Sequence, residues 1–121
     1  MEIKSYRDLL VWQKSVVLVI EIYKLTESFP KTEVFGIISQ MRRAAVSIPS
    51  NIAEGRSRGT RKDFRHFLLN AFGSGAELET QIEISKRIKF VDISKYKIAD
   101  DLLNEVMPML NSLISKLSPI T

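Results

Sequence analysis

The chain has 121 residues, 45% of them hydrophobic, and carries 18 Lys and Arg against 14 Asp and Glu, a formal net charge of +4. Length and apolar content suit one domain, residues 1–121, with a real core. Cysteine is absent and His66 is the sole histidine, which excludes disulfides, thiolate metal sites and a cysteine nucleophile. The longest apolar run, Val16 to Ile20, falls far short of the ~20 residues of a membrane span. No small-residue cleavage site follows it. The expected compartment is the cytoplasm, with no membrane association.

The first helix is expected over about Asp8 to Ser28, with Leu9, Trp12, Val16, Val19 and Tyr23 on one face and Phe29-Pro30 as its stop. A second runs from about Lys31 to Glu54, with the stripe Phe35, Ile38, Met41, Ala45, Ile48 and Ile52. Pro49 lies inside that pattern, which predicts a kink or short break near Ala45–Pro49. The third helix begins at Thr60, whose spacing to Asp63 is that of a capping box. Its stripe is Phe64, Phe67, Leu68, Ala71, Gly75, Leu78, Ile82 and Ser85. Lys86, Arg87 and Lys89 suit the negative end of its dipole. A fourth spans about Ile93 to Leu117, with Ala99, Leu102, Val106, Met109, Leu113 and Leu117 facing inward and a bend at Pro108. No strand-like alternation or internal repeat is present. The expected fold is all-α, an antiparallel up-down four-helix bundle.

Apolar residues exceed what a lone bundle needs. Val16, Val17, Leu18, Val19, Ile20 and Ile22 cover most of the first helix, and the third has a second set in Leu69, Phe72, Ala76 and Ile84. A helix apolar all round should be buried all round. Self-association through these faces is expected; a monomer with some exposed apolar surface is the alternative.

Catalytic chemistry is hard to assemble. One histidine cannot supply the two Glu-x-x-His pairs of a di-iron bundle, and zincin and P-loop motifs are absent. Glu77, Glu79 and Glu83 read as a solvated face. No enzyme activity, cofactor, metal or small-molecule substrate is expected.

Positive charge concentrates instead in RRAAVSIPSNIAEGRSRGTRKDFRH, residues 42–66, with seven Arg or Lys and two acids. Gly55 is read as the C-terminal residue of the second helix. Arg56, Arg58, Arg61, Lys62 and Arg65 then surround the N-terminus of the third, where free backbone N–H groups favour an anion. Cationic side chains there oppose the helix dipole, which hints at an anionic partner; arginine's fork matches phosphate oxygens. The competing reading is a solvated corner whose arginines pair with Glu54, Asp63 or a neighbouring subunit. Arg42 and Arg43 are weaker candidates for the same surface. An inward turn of Arg43 to an acid such as Glu77 is the alternative for that residue. Ser47, Asn51 and Glu54 lie on one strip and, with Ser74 and Glu77, suit a buried polar network. The small residues Gly73-Ser74-Gly75-Ala76 allow close approach of another helix.

The segments DLLVWQKS, YKLTESFP, FGIISQMRRAAVSIPSNIAEGRSR and DFRHFLLNAFGSGAELETQI together resemble the four-helix-bundle proteins encoded in 23S rRNA intervening sequences. The likeness runs from Tyr6 to Leu117, and RRAAVSIPSNIAEG is its most specific part. It extends to the accessory variability determinant of diversity-generating retroelements. The resemblance implies a homopentameric ring. In the retroelement relative it implies a basic surface that meets nucleic acid and a reverse transcriptase. It carries over no catalytic residue. The expected function is a non-enzymatic oligomer that binds structured RNA, or an RNA–protein complex, through Arg56, Arg58, Arg61, Lys62 and Arg65, with Arg42 and Arg43 secondary. The alternative is an adaptor oligomer that binds a protein, such as a reverse transcriptase, with no direct nucleic-acid role.

Overall fold

The computed structural model describes residues 5–118. Among them four α-helices and no strand occur: α1 (Leu10–Glu27), α2 (Ile37–Ser57), α3 (Arg61–Ile88) and α4 (Lys97–Lys116). Each helix packs on its two neighbours in the cycle α1–α2–α3–α4–α1. With short connections this makes an antiparallel four-helix bundle. The α2–α3 corner therefore shares one end of the bundle with the last turn of α4. The α1–α2 and α3–α4 connections share the other.

A 3₁₀ turn, Tyr6–Asp8, leads into α1. The Ser5 hydroxyl accepts from Arg7 N at 2.9 Å and the Asp8 carboxylate accepts from Ser5 N at 3.3 Å, a reciprocal cap. The face α1 buries differs from the expected one. Val11, Ser15, Leu18, Ile22, Leu25 and Thr26 point inward, whereas Tyr23 is exposed and Trp12, Val16 and Val19 are half-buried. A helix apolar on most of its circumference does not declare its inner face. Ser15 and Thr26, being polar, fall outside any apolar stripe. Both hydroxyls are satisfied inside their own helix, donating to Trp12 O and Ile22 O at 2.8 Å each, so their burial leaves no orphan.

The second helix starts later than expected. Lys31–Glu33 forms a 3₁₀ turn after Pro30, and α2 begins only past Gly36. Phe35 consequently leaves the core stripe and is 97% exposed. The rest of that stripe, Ile38, Met41, Ala45, Ile48 and Ile52, is buried. No break occurs at Pro49. The helix runs through it, with the proline ring buried.

The third helix follows its expectation most closely. Thr60 Oγ1 accepts from Asp63 N at 3.1 Å, and Leu68, Ala71, Gly75, Leu78, Ile82 and Ser85 are buried. It ends on Lys89 in the left-handed region, φ 65°. Phe90 N donates to Ser85 O at 3.3 Å and Lys89 N to Lys86 O at 3.1 Å, the two bonds of a Schellman motif.

A 3₁₀ turn, Ile93–Tyr96, precedes α4. Asp92 caps it, accepting from Ser94 N at 2.8 Å; hydrogen bonding from Ser94 holds the Asp92 carboxyl below its ordinary pKa. The core face of α4 is Ala99, Leu103, Val106, Met107, Leu110 and Ile114. The expected Leu102, Met109, Leu113 and Leu117 sit beside it, half-buried. Pro108 lies on the solvent side.

Two glycines set helix separations. A Cβ on Gly75 would collide with Met107 Sδ of α4, as the small-residue run suggested, whereas Gly73 faces open space. A Cβ on Gly55 would lie 2.6 Å from Phe67 Cβ of α3. Apolar surface remains outside this core. Leu10, Val17, Ile20 and Tyr23 of α1 and Leu69, Ile84 and Ile88 of α3 are exposed. No helix among the described residues is long and apolar enough to cross a membrane.

Candidate nucleic-acid interface

The basic corner is built by a three-residue connection. Gly55 does not end α2: it is buried, and the helix continues past it to Ser57. Gly59, at φ 87°, takes the left-handed conformation of the turn, where a side chain would be strained. Thr60 then starts α3.

The corner's cations have separate tasks. Arg61 Nη2 donates to Lys116 O at 3.0 Å and Arg65 Nε to Ile114 O at 3.4 Å. Both acceptors belong to the last turn of α4, where the dipole is negative; Ile114 O also accepts from Leu117 N at 3.2 Å, so Arg65 adds a second bond to a carbonyl already engaged. The arginines that oppose the dipole of α3 thus complement that of the antiparallel α4. Along the sequence this opposition reads as a sign of an external anion. The up-down topology, read one step further, places the α4 C-terminus there instead.

Arg58 donates to Glu54 Oε2 at 2.6 Å, an i,i+4 pair with the acid N-terminal, the favourable order. Its guanidinium carbon also stands 5.1 Å from the centroid of the Phe67 ring. The Glu54 hydrogen bond, then its charge, push the Arg58 pKa further above its ordinary value. Lys62 is exposed, and Arg56 is half-buried near the end of α2. Arg61, Lys62, Arg65 and His66 line an open groove of about 660 Å³ with Leu69 and Leu117. His66, exposed, meets Phe67 edge-on at 5.5 Å.

The two remaining candidates lie apart from this corner. Arg42 serves the α1–α2 interface: its Nε donates to Thr26 Oγ1 at 2.9 Å, its guanidinium carbon lies 4.5 Å from the Tyr23 ring centroid, and Nη2 is 3.7 Å from Glu27. Arg43 is exposed, 13 residues from Arg56 along α2, or about 20 Å at 1.5 Å per residue. It makes no ion pair with Glu77. The polar network forms without either acid: Ser74 donates to Ser47 Oγ at 2.9 Å and Asn51 Nδ2 donates to Ser47 O and Oγ at 2.8 and 2.9 Å. Among the described residues no group of three His, Asp or Glu is placed to hold a metal ion.

The capping role is measurable. Arg61→Ala and Arg65→Ala should each cost about 0.5–1.5 kcal/mol, the net worth of one hydrogen bond. Amide exchange should quicken in the last turn of α4. Unchanged stability and exchange in both variants would show that α4 does not use these caps.

Fold and corner define an antiparallel four-helix bundle with a cationic end. The chain matches the profile of the 23S rRNA-intervening sequence proteins over residues 7–112, and it belongs to that family. It is similar to a protein of unknown function from the S23 ribosomal protein family of Bacteroides thetaiotaomicron, seen in a crystal structure. The two are 26% identical, over 87% of this chain and 98% of that one, with a TM-score of 0.77. Among curated proteins none matches.

Proposed function

We propose that this protein is a non-enzymatic, cytoplasmic, self-associating bundle that binds structured RNA, or an RNA–protein complex, through its cationic end. The observation that carries the reading is the groove where Arg61, Lys62, Arg65 and His66 meet above Leu69 and Leu117. Each guanidinium has five N–H donors. A single bond from Arg61 or Arg65 to α4 orients the fork and leaves donors for phosphate oxygens. Arg56 and Arg58 extend the surface along α2, with Arg43 farther along the same helix. Contacts of this kind position a backbone without reading bases.

The exposed apolar residues of α1 and α3 support self-association, and the homopentamer is the assembly the family resemblance implies. Several copies on one RNA would multiply a weak site by avidity. Phe35, exposed beside Val34, favours a second reading in which the oligomer is an adaptor for a protein such as a reverse transcriptase.

Binding of a structured RNA across a salt series tests the first reading. The informative variant is Arg56→Ala/Arg58→Ala/Lys62→Ala, which spares both α4 caps. Wild-type affinity should fall steeply with salt. The variant's log–log slope should be shallower by about 0.7–0.9 for each phosphate that the protein no longer neutralises. Equal slopes at equal oligomeric mass would remove Arg56, Arg58 and Lys62 from the RNA contact, and a wild type that does not bind, or binds without salt dependence, would leave the adaptor reading.

A further inference from the structure

Two unlike strips lie on the outside of the bundle, on helices that are diagonal in it. On α1 the strip is Leu10, Val17 and Ile20, all exposed. On α3 it is Leu69, Gly73, Ala76, Thr80 and Ile84, also exposed. Steps of three, four and seven residues put each set along one helix face. The two differ in relief. Every member on α1 is large. On α3 two large residues bound a floor of small ones. A Cβ on Gly73 would meet nothing in this chain. Glycine weakens a helix relative to alanine, and no neighbour within the bundle requires it there. A second helix lying in the trough would, as α4 requires Gly75.

A ridge and a trough on one chain complement each other. Joining α1 to α1 would leave the trough empty. Joining α1 of one copy to α3 of the next covers both faces with one repeated contact. A heterologous contact of this kind closes into a ring when the copies turn about a common axis. The levels match as well. Phe29, just past α1, meets Phe90, just past α3, at 5.3 Å between ring centroids. The two helices run the same way, so nine residues back on each, Ile20 is level with Gln81. Rotation about an axis along the helices keeps every level. Ile20 of the next copy then arrives between Thr80 and Ile84, Val17 between Ala76 and Thr80, and Leu10 beside Leu69. Lys24 of the next copy arrives beside Glu83; these side chains are opposite in charge and 72% and 56% exposed. Exposed charges add little affinity, but they fix register.

We infer that α1 of one copy docks, parallel, into the α3 trough of the next, and that repetition of this contact closes a ring. The inference deepens the self-association of the proposed function and rests on it. On the same count Leu10 is level with Ala71, so Arg61, Lys62 and Arg65 lie beyond the docked α1. The cationic ends of all copies therefore share one open rim.

Sedimentation of the full chain without RNA tests the contact. Ile20→Asp spoils the ridge and keeps the trough; Gly73→Arg fills the trough and keeps the ridge. Both positions are exposed, so both variants should keep the wild-type circular dichroism signal. Each alone should self-associate at least about tenfold more weakly than wild type. Mixed, they should form a 1:1 complex and nothing larger, because one intact ridge meets one intact trough. The chain has no cysteine, so Ile20→Cys/Thr80→Cys gives a reading that does not depend on a charged substitution. Oxidation should link its copies into a ladder ending at the ring size, while either single cysteine variant stays unlinked. A monomeric wild type, folded variants within about threefold of wild type, a mixture without the 1:1 complex, or an unlinked double cysteine variant would overturn the proposal. RNA is absent throughout. A failed salt series therefore leaves the contact standing, and a monomeric wild type leaves the phosphate contacts of the corner standing.

Discussion

Tyr96→Ala should lower unfolding free energy by about 3–5 kcal/mol, the usual cost of emptying a buried aromatic site. Tyr96 is fully buried between the last turn of α3 and the start of α4. Its ring stands 6.4 Å from that of Phe29, which in turn meets Phe90 at 5.3 Å. These rings close the end of the bundle opposite the basic corner, and one substitution leaves a cavity beneath both connections there. The hydroxyl contributes separately: it donates to Ser85 Oγ at 3.0 Å, and Ser85 donates onward to Ile82 O at 2.8 Å. Tyr96→Phe breaks that chain while keeping the volume, so it should cost only about 1 kcal/mol. Urea unfolding of both variants checks the pair. Equal losses would mean that the hydroxyl, and not the ring volume, carries the site.

Gly55→Ala comes next in magnitude and acts where the function is proposed. The added carbon would stand 2.6 Å from Phe67 Cβ and 3.3 Å from the Phe64 carbonyl oxygen. The first is the root of a side chain and the second is backbone, so neither swings aside, and α2 and α3 must move apart. Overpacking of this kind costs about 1–3 kcal/mol, against a gain of about 1 kcal/mol from replacing glycine inside a helix. The expected result is net destabilisation. A variant more stable than wild type in urea would show that the two helices separate freely. The same movement displaces Arg56 and Arg58 from Arg61 and Arg65. RNA affinity should therefore fall in Gly55→Ala more than in Tyr96→Phe, which loses a similar amount of stability at the far end. A matched fall in both would trace the loss to stability alone.

What sequence and structure each contribute can be followed along particular helices. α3 is legible because one apolar stripe runs its whole length, Thr60 marks its start, and no proline interrupts it. The number and order of helices follow from sparse punctuation at Phe29-Pro30, Gly59 and the Lys89–Asp92 stretch. The family is legible too, since the motif around Ile48–Gly55 is specific. α1 is not legible in orientation. With apolar residues on nearly every face, only its packing against α2 and α4 selects Val11, Leu18 and Ile22, and only local hydrogen bonds make Ser15 and Thr26 acceptable inside. Gly55 carries the same lesson in miniature. A glycine before a basic loop reads locally as a helix stop, but here it lets α2 lie against Phe64 and Phe67.

An all-helical chain and the charge of residues 56–65 follow from the residues alone, because periodicity and composition are local. What that charge touches depends on packing. Arg61 and Arg65 reach the end of α4 because antiparallel packing sets oppositely signed helix ends side by side. Arg42 is taken up by α1, and Gln81 is left buried without a partner. The arginine pairings join residues 16 to 55 positions apart in the chain, and no local pattern records which of them will meet.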